Sequence, residues 1–470
     1  MNKKSVIPVL AALVAFLSVS TMLRFPGLPI GMAEITVLFA SFAIIRRNVF
    51  MQNVKHPLML FWFAFIATTM IGFFVGSIRG EGAIHTVIAY LYTAGFTLIA
   101  LSYVGGLDQF EFQRFIRAMA TIPVVLLFLP LLVFLLGSIW FSDLLEINTT
   151  YYPSRVAAWS MNPNQLALFL LPIPIWLAAI SQNSHWQGWR FVKKFAFLWL
   201  FFFLGLCVRS DALLLAWCIG IPMLTLIVWR WLPNINWRFF GALIAAFILA
   251  FISFKFIFDG PGQRVFESVR AVVAERESDV IAERDLKKEN TKAISGFALS
   301  FEHNAITKEI KVPLALGKSD STFGVGMDPN KAGVRKTLWV HALEVWTLSP
   351  VFGHGPGAFS YLDNPQARHE AHNLLLDLLT QAGIAGLIIF GVLYLWLIAG
   401  AIKARDPFSL TTLIVLMIFS GAHFMLRQPV FMLYMVICAV VVKNRIFEKL
   451  DSSPGITSSG IPGISTVLKP

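Results

Sequence analysis

Apolar runs of about 20 residues recur along most of this chain, and they limit its fold more than any other feature. A helix needs ~20 mostly apolar residues to cross ~30 Å of hydrocarbon, where open backbone groups find no partner. Twelve runs read as membrane spans: 5–23, 29–45, 58–77, 84–104, 121–141, 164–181, 191–208, 211–230, 239–258, 375–402, 408–424 and 428–443. The sixth carries Pro172 and Pro174, tolerable in a membrane helix when neighbours satisfy the carbonyls they free. Composition agrees. Of 470 residues, 57% are hydrophobic and 14% charged, whereas soluble domains carry roughly 25% charged residues. This balance excludes a soluble globular domain and also a disordered chain, which needs the opposite one. The expected fold class is an all-α polytopic membrane protein of about twelve transmembrane helices.

The formal charge is +12. Taken alone it suggests an anionic partner: nucleic acid, lipid head groups or a phosphorylated substrate. Its distribution says otherwise. Lysines and arginines beside short loops set orientation in the membrane. With the N-terminus in the cytoplasm, cytoplasmic segments hold eighteen basic and five acidic residues. The short outer loops hold only five basic residues: Arg24, Arg79, Arg155, Arg209 and Arg427. The excess is thus a topology signal, and no nucleic-acid partner is expected.

Residues 259–371 form one long segment with fourteen basic and fifteen acidic residues. Long segments translocate regardless of charge, so this one is expected outside. The domain reading is nine spans over 1–258, an outer loop domain over 259–371, three spans over 372–445 and a disordered cytoplasmic tail over 446–470. Within the loop, 263–291 reads as a helix, 315–333 as a glycine-rich connection, and Trp339 to Leu348 as an amphipathic helix. The small residues Ser18-Val19-Ser20 would suit a signal-peptide cleavage site, but eleven further spans favour an uncleaved first span. Cys207, Cys218 and Cys438 show no disulfide or metal spacing and read as buried packing thiols.

Polar residues at the outer membrane face are costly and therefore informative. The sharpest group opens the tenth span: His372-Asn373, then Asp377, Gln381, Gly383 and Gly386. His372 is expected in the first helical turn, where the helix dipole and nearby arginines disfavour its protonated form. A neutral imidazole there can act as a general base; the plainer alternative is an interfacial histidine capping a helix. Gly383 and Gly386 allow close backbone approach. Arg209 occupies a turn too short to leave the interface. Its planar fork suits phosphate oxygens, with pairing to Asp211 or snorkelling as alternatives. Arg335 lies just before the amphipathic helix carrying Trp339, and a solvated loop charge is its alternative. Asn162-Pro163-Asn164 has the form of a helix N-cap. Gly353-His354-Gly355-Pro356-Gly357 lacks the strand and the Gly-Lys-Ser/Thr ending of a phosphate loop, and reads as a tight turn.

In this order, the motifs resemble the superfamily of O-antigen ligases and O-antigen polymerases, bacterial envelope glycosyltransferases. Its signature is His, then Asn, Ser or Gln, nine residues, and Gly-x-x-Gly. His372, Asn373, Gly383 and Gly386 match it, while Leu387 departs from the Gly, Thr or Tyr that follows, and Gln381 stands where relatives often carry Glu. Arg209 resembles the family's arginine in a Ser-Arg-Gly-like turn. Arg335 and Trp339 with Pro350, Gly353, Gly355 and Phe359 resemble its Arg-x-x-x-Trp…Pro-x-x-Gly-x-Gly element, and Asn162-Pro163-Asn164 its Asn-Pro-Asn opening.

The resemblance implies a C-type glycosyltransferase-like fold in the bacterial inner membrane, with a large periplasmic loop and both termini cytoplasmic. It implies a glycan donor on undecaprenyl diphosphate and a lipid A–core or glycan acceptor. No metal or other cofactor is expected. His372, Arg335 and Arg209 would be catalytic, with Asn373, Gly383, Gly386, Asn164 and Trp339 around the substrate. An O-antigen or exopolysaccharide polymerase is the alternative within the superfamily. The rival class, a polysaccharide transporter or flippase, predicts inverted repeats and midplane ionisable residues; only Glu34 and Lys255 are candidates.

Overall fold

The computed structural model describes residues 3–20, 47–78, 83–136, 156, 159–160, 162–181, 188–232, 237–258, 331–358 and 371–451. The expected second span, the 263–291 helix, most of the glycine-rich connection, Phe359 and residues 452–470 of the expected disordered tail lie outside this set; residues 446–451 of that tail are instead the helical end of the last element. Among the described residues every regular element is a helix. In chain order these are α1 (Lys3–Leu17), α2 (Arg47–Val54), α3 (Pro57–Val75), α4 (Ala83–Val104), α5 (Gln109–Leu126), α6 (Phe128–Leu136), α7 (Pro163–Leu170) and α8 (Ile173–Ile180). There follow α9 (Gly188–Cys207), α10 (Asp211–Trp231), α11 (Trp237–Phe258), α12 (Lys331–Leu348), α13 (Leu374–Ala404), α14 (Pro407–Ser420) and α15 (Pro429–Asp451).

Eight helical segments are long and apolar enough to span a membrane, α5 with α6 and α7 with α8 each counting as one. Large apolar side chains point away from the bundle: Phe74 is 72% exposed, Ile84 74% and Leu395 66%. Such a belt fits lipid, since each of these would be costly to leave in water. Cys218 belongs to this outward face rather than to the core, whereas Cys207 and Cys438 are buried. Helix α15 is at the centre: Val430 to Ala439 are all buried.

Prolines set the element boundaries. Helices α3, α7 and α14 each start with Pro after a side-chain cap, His56, Asn162 and Asp406 respectively. Pro lacks the N–H that would be unpaired there in any case. Pro172 divides the sixth expected span into α7 and α8. The carbonyls left at the break find partners on other helices: Trp217 Nε1 donates to Leu171 O at 2.9 Å, and the Tyr434 hydroxyl donates to Phe169 O. The fifth expected span begins twelve residues early. Asp108 and Glu111 form a reciprocal capping box that starts α5 at Gln109, so Arg114 and Arg117 are helical residues rather than loop residues. Helix α1 is integrated in the bundle, with Phe16 edge-on to Phe169 at 5.5 Å.

Candidate functional site around His372

Helix α13 is the frame of the site, and it contains a break. Gly383 has φ 63° and ψ −161°, a conformation that side-chain-bearing residues rarely adopt. A break in an α-helix orphans carbonyls before it and amides after it. Here the turn at 349–358 supplies four of the missing partners. His354 N and Gly355 N donate to the carbonyls of Thr380 and Gln381 at 2.9 and 3.0 Å. Ile384 N and Ala385 N donate to the carbonyls of Pro350 and Val351 at 2.9 and 3.0 Å. The Pro350…Gly353…Gly355 motif and the Gly383…Gly386 motif are therefore two halves of one joint. A Cβ on Gly383 would lie 2.3 Å from Val351 O, and one on Gly355 would lie 2.6 Å from Phe73 Cα. Both glycines are required by contact as well as by φ. The tight turn expected at 353–357 is present, and this joint is its purpose.

The Gln381 side chain ties the joint to α4. The Tyr90 hydroxyl donates to Gln381 Oε1 at 2.6 Å, and Gly357 N donates to the same oxygen at 3.3 Å. His354 is fully buried, and both ring nitrogens are engaged. Nε2 donates to Val345 O at 2.8 Å, and Nδ1 accepts from Ile78 N at 3.4 Å.

His372 lies just before α13 rather than in its first turn. Asn373 is the N-cap: its Oδ1 accepts from Leu375 N and Leu376 N at 3.0 and 3.3 Å. A side-chain cap starts the helix one residue after the histidine. Asn373 Nδ2 also donates to Gly421 O at 3.1 Å, fixing α13 to the connection after α14. His372 has φ 51°, an uncommon state for a non-glycine residue. It is half-buried, with its ring 6.4 Å from that of His423, edge to face. His423 in turn lies against Phe419 at 4.9 Å. Asp377, one turn into α13, is fully buried. Its carboxylate accepts from Ala371 N and Asn373 N, at 3.2 and 3.3 Å.

Helix α12 closes one side. Trp339 Nε1 donates to Ala371 O at 3.1 Å, and Leu338 and Ala342 cluster with Ala371. Helix α12 starts earlier than expected, so Arg335 and Lys336 are inside it.

Arg209 also has φ 51°, in the turn between α9 and α10. Its guanidinium lies over the rings of Phe254 and Phe258, at 5.6 and 4.9 Å. Its Nε is buried without a hydrogen-bond partner. The contacts of Arg209 are with α11 and not with the His372 segment, but both residues stand at one end of the bundle. Trp217, six residues into α10, and Tyr434, five into α15, both reach the α7–α8 break. The starts of α10 and α15 are therefore level, and the connection leading into α15 is the one that binds Asn373. Asn164 is in the first turn of α7, where its amide is taken up by the Asn162 cap; no contact ties it to His372. A Cβ on Gly386 would lie 2.2 Å from the Ala382 Cβ of the same helix, with Phe65 Cε2 of α3 at 3.8 Å.

The sequence reading missed a second layer in the 421–428 connection. His423 and Arg427 were, respectively, unmarked and counted only for topology. Arg427 sits over the Phe424 ring at 5.4 Å, and its carbonyl accepts from Thr93 Oγ1 at 3.2 Å. Burial lowers its pKa, against which the neighbouring Tyr90 acts. A charged residue so close to two apolar spans was the available signal. Among the described residues no group of three metal-ligating side chains is assembled.

These features define a polytopic helical membrane protein whose polar residues converge on a histidine at one end of the bundle. Residues 195–391 match the family described as O-antigen ligase, which places that stretch in the O-antigen ligase superfamily, as the motifs had indicated. The match takes in Arg209, Arg335, Trp339, His372, Asn373, Gly383 and Gly386; Asn164 falls before it. The family points to a glycosyltransferase-like enzyme acting on lipid-linked glycans. No curated protein matches the chain.

Proposed function

We propose that this protein transfers a glycan from undecaprenyl diphosphate to an acceptor hydroxyl, with His372 as the general base. The reading rests above all on one observation. His372 is half-buried, the amides on either side of it are bonded to the Asp377 carboxylate, and its ring packs edge to face beside that of His423. Its imidazole accepts the acceptor's proton as the oxygen attacks the anomeric carbon, a role worth about 10²–10⁴-fold. The bond from that carbon to the diphosphate oxygen breaks, and its electron pair leaves with the diphosphate. Arg209 and Arg335 neutralise the charge that grows there, since guanidinium forks match phosphate oxygens. The unpartnered Nε and the aromatic bed of Arg209 suit that task. Direct displacement inverts the anomeric centre. The site is then on the periplasmic face of the inner membrane, and neither arginine needs a metal to assist it.

The test is transfer in proteoliposomes supplied with a polyprenyl-diphosphate glycan. Loss of transfer in both His372→Ala and Arg335→Ala, with normal amounts of folded protein, is the expected result; wild-type rates in both overturn the assignment. Offering lipid A–core or a second lipid-linked repeat as acceptor separates ligase from polymerase. Movement of the donor across the bilayer with no transferred product would favour a flippase.

A further inference from the structure

We infer that Asp377 is the positioning residue for His372, a role that rests on the general-base reading above. Two successive residues of opposite backbone hand turn their flanking N–H groups into one concavity, a nest that binds an anion. The left-handed φ of His372 supplies one member of such a pair, and the amides flanking it, Ala371 N and Asn373 N, converge on one carboxylate. One carboxylate oxygen of Asp377 sits on each of these amides, 3.2 and 3.3 Å away. The anion in the nest is thus part of the chain itself. It also stands at the start of α13, where the helix dipole favours negative charge.

The arrangement differs from a capping box, in which the residue three beyond the cap reaches back only to the cap amide. Asp377 is four beyond Asn373 and reaches two amides that bracket the histidine. Both oxygens are bonded to the main chain on either side of the histidine, so Asp377 acts on the conformation of residue 372. Asn373, Trp339 and Asp377 fix the segment from three sides: the Asn373 side chain to Gly421 O, Trp339 to Ala371 O, and Asp377 from beneath. Of the three, only Asp377 bonds both amides that flank the left-handed residue. Its full burial in an otherwise apolar first turn is costly unless it serves such a purpose.

The experiment measures glycan transfer by the full-length protein in proteoliposomes, with kcat and the donor KM read separately. In Asp377→Asn, an amide hydrogen faces one of the two N–H groups and the nest empties. A base displaced by the order of 1 Å costs up to ~10²-fold, so kcat is expected to fall by about that factor with donor KM unchanged. Asp377→Glu keeps the charge but carries it one methylene farther, and is expected to fold and to give an intermediate kcat. This second variant decides the matter if the Asn variant does not accumulate. A wild-type kcat in either variant overturns the inference, as does a rise in donor KM that accounts for the whole loss. His372→Ala is run in parallel. Inactive His372→Ala with fully active Asp377→Asn removes only the role of Asp377. Fully active His372→Ala removes the general-base reading and this inference with it.

Discussion

His354 and His372 are eighteen residues apart and stand at opposite poles of what a histidine can do. His354 is fully buried, and its two nitrogens bond the carbonyl of Val345 and the amide of Ile78. It ties the end of α12, the 349–358 turn and the end of α3 together. A ring so committed cannot take a proton from a substrate without breaking the joint. His372 differs. The amides on both sides of it are bonded to Asp377, Trp339 holds the carbonyl of Ala371, and the residue is half-buried rather than fully buried. A fixed main chain is what the proposed general base needs. Polarity at the membrane end is common to both histidines; burial and hydrogen bonding separate them.

The comparison can be broken most sharply at the joint itself. Gly383→Ala forces a Cβ to within 2.3 Å of Val351 O at a left-handed position. Protein that elutes as a stable monodisperse species after detergent extraction is not expected for this variant; normal yield would show that the break is dispensable. Next in size, His372→Ala should lower transfer by about 10²–10⁴-fold with little change in thermal stability in detergent. Comparable losses of stability and activity would make His372 structural, like His354.

His354→Ala should show the opposite profile. It leaves Val345 O and Ile78 N unpaired, at roughly 1–3 kcal/mol for each buried group. The midpoint of thermal unfolding should drop, while the folded fraction retains most of its specific transfer rate. Unchanged stability would show that the joint does not depend on this ring. The smallest effect is expected at Arg209→Lys. An ammonium loses both the fork and most of the stacking on Phe254 and Phe258. Donor binding should weaken by about tenfold, ~1.4 kcal/mol, read as a rise in donor KM with kcat less affected. A kcat effect alone would move Arg209 from binding to charge stabilisation of the leaving group.

Several parts of this site were legible as sequence. His372-Asn373 and Gly383-x-x-Gly386 marked the segment, because left-handed and broken-helix positions select for few residue types. Asn162-Pro163 and Asp108-x-x-Glu111 have the spacing of helix starts, though the second was overlooked and displaced the fifth span. Arg335 was placed before its helix because a glycine-rich stretch precedes it; Lys331, Ala332 and Gly333 are nevertheless helical. The pairing of the 349–358 turn with the break in α13 was not legible. It joins residues that are about thirty positions apart in the chain through backbone groups, which carry no sequence signature.

The sequence by itself determined the class: apolar runs at membrane length, with few charges inside them and a set of polar motifs between and at the ends of them. Those properties follow from transfer energies and local backbone preference, which each residue carries wherever it stands. Only the tertiary structure decided which polar residues are free to act. His354 is spent on Val345 and Ile78, Gln381 on Tyr90 and Gly357, and Asp377 on the amides around His372. Hydrogen-bond capacity is finite and is allocated in space, so these commitments could be read only from the folded chain.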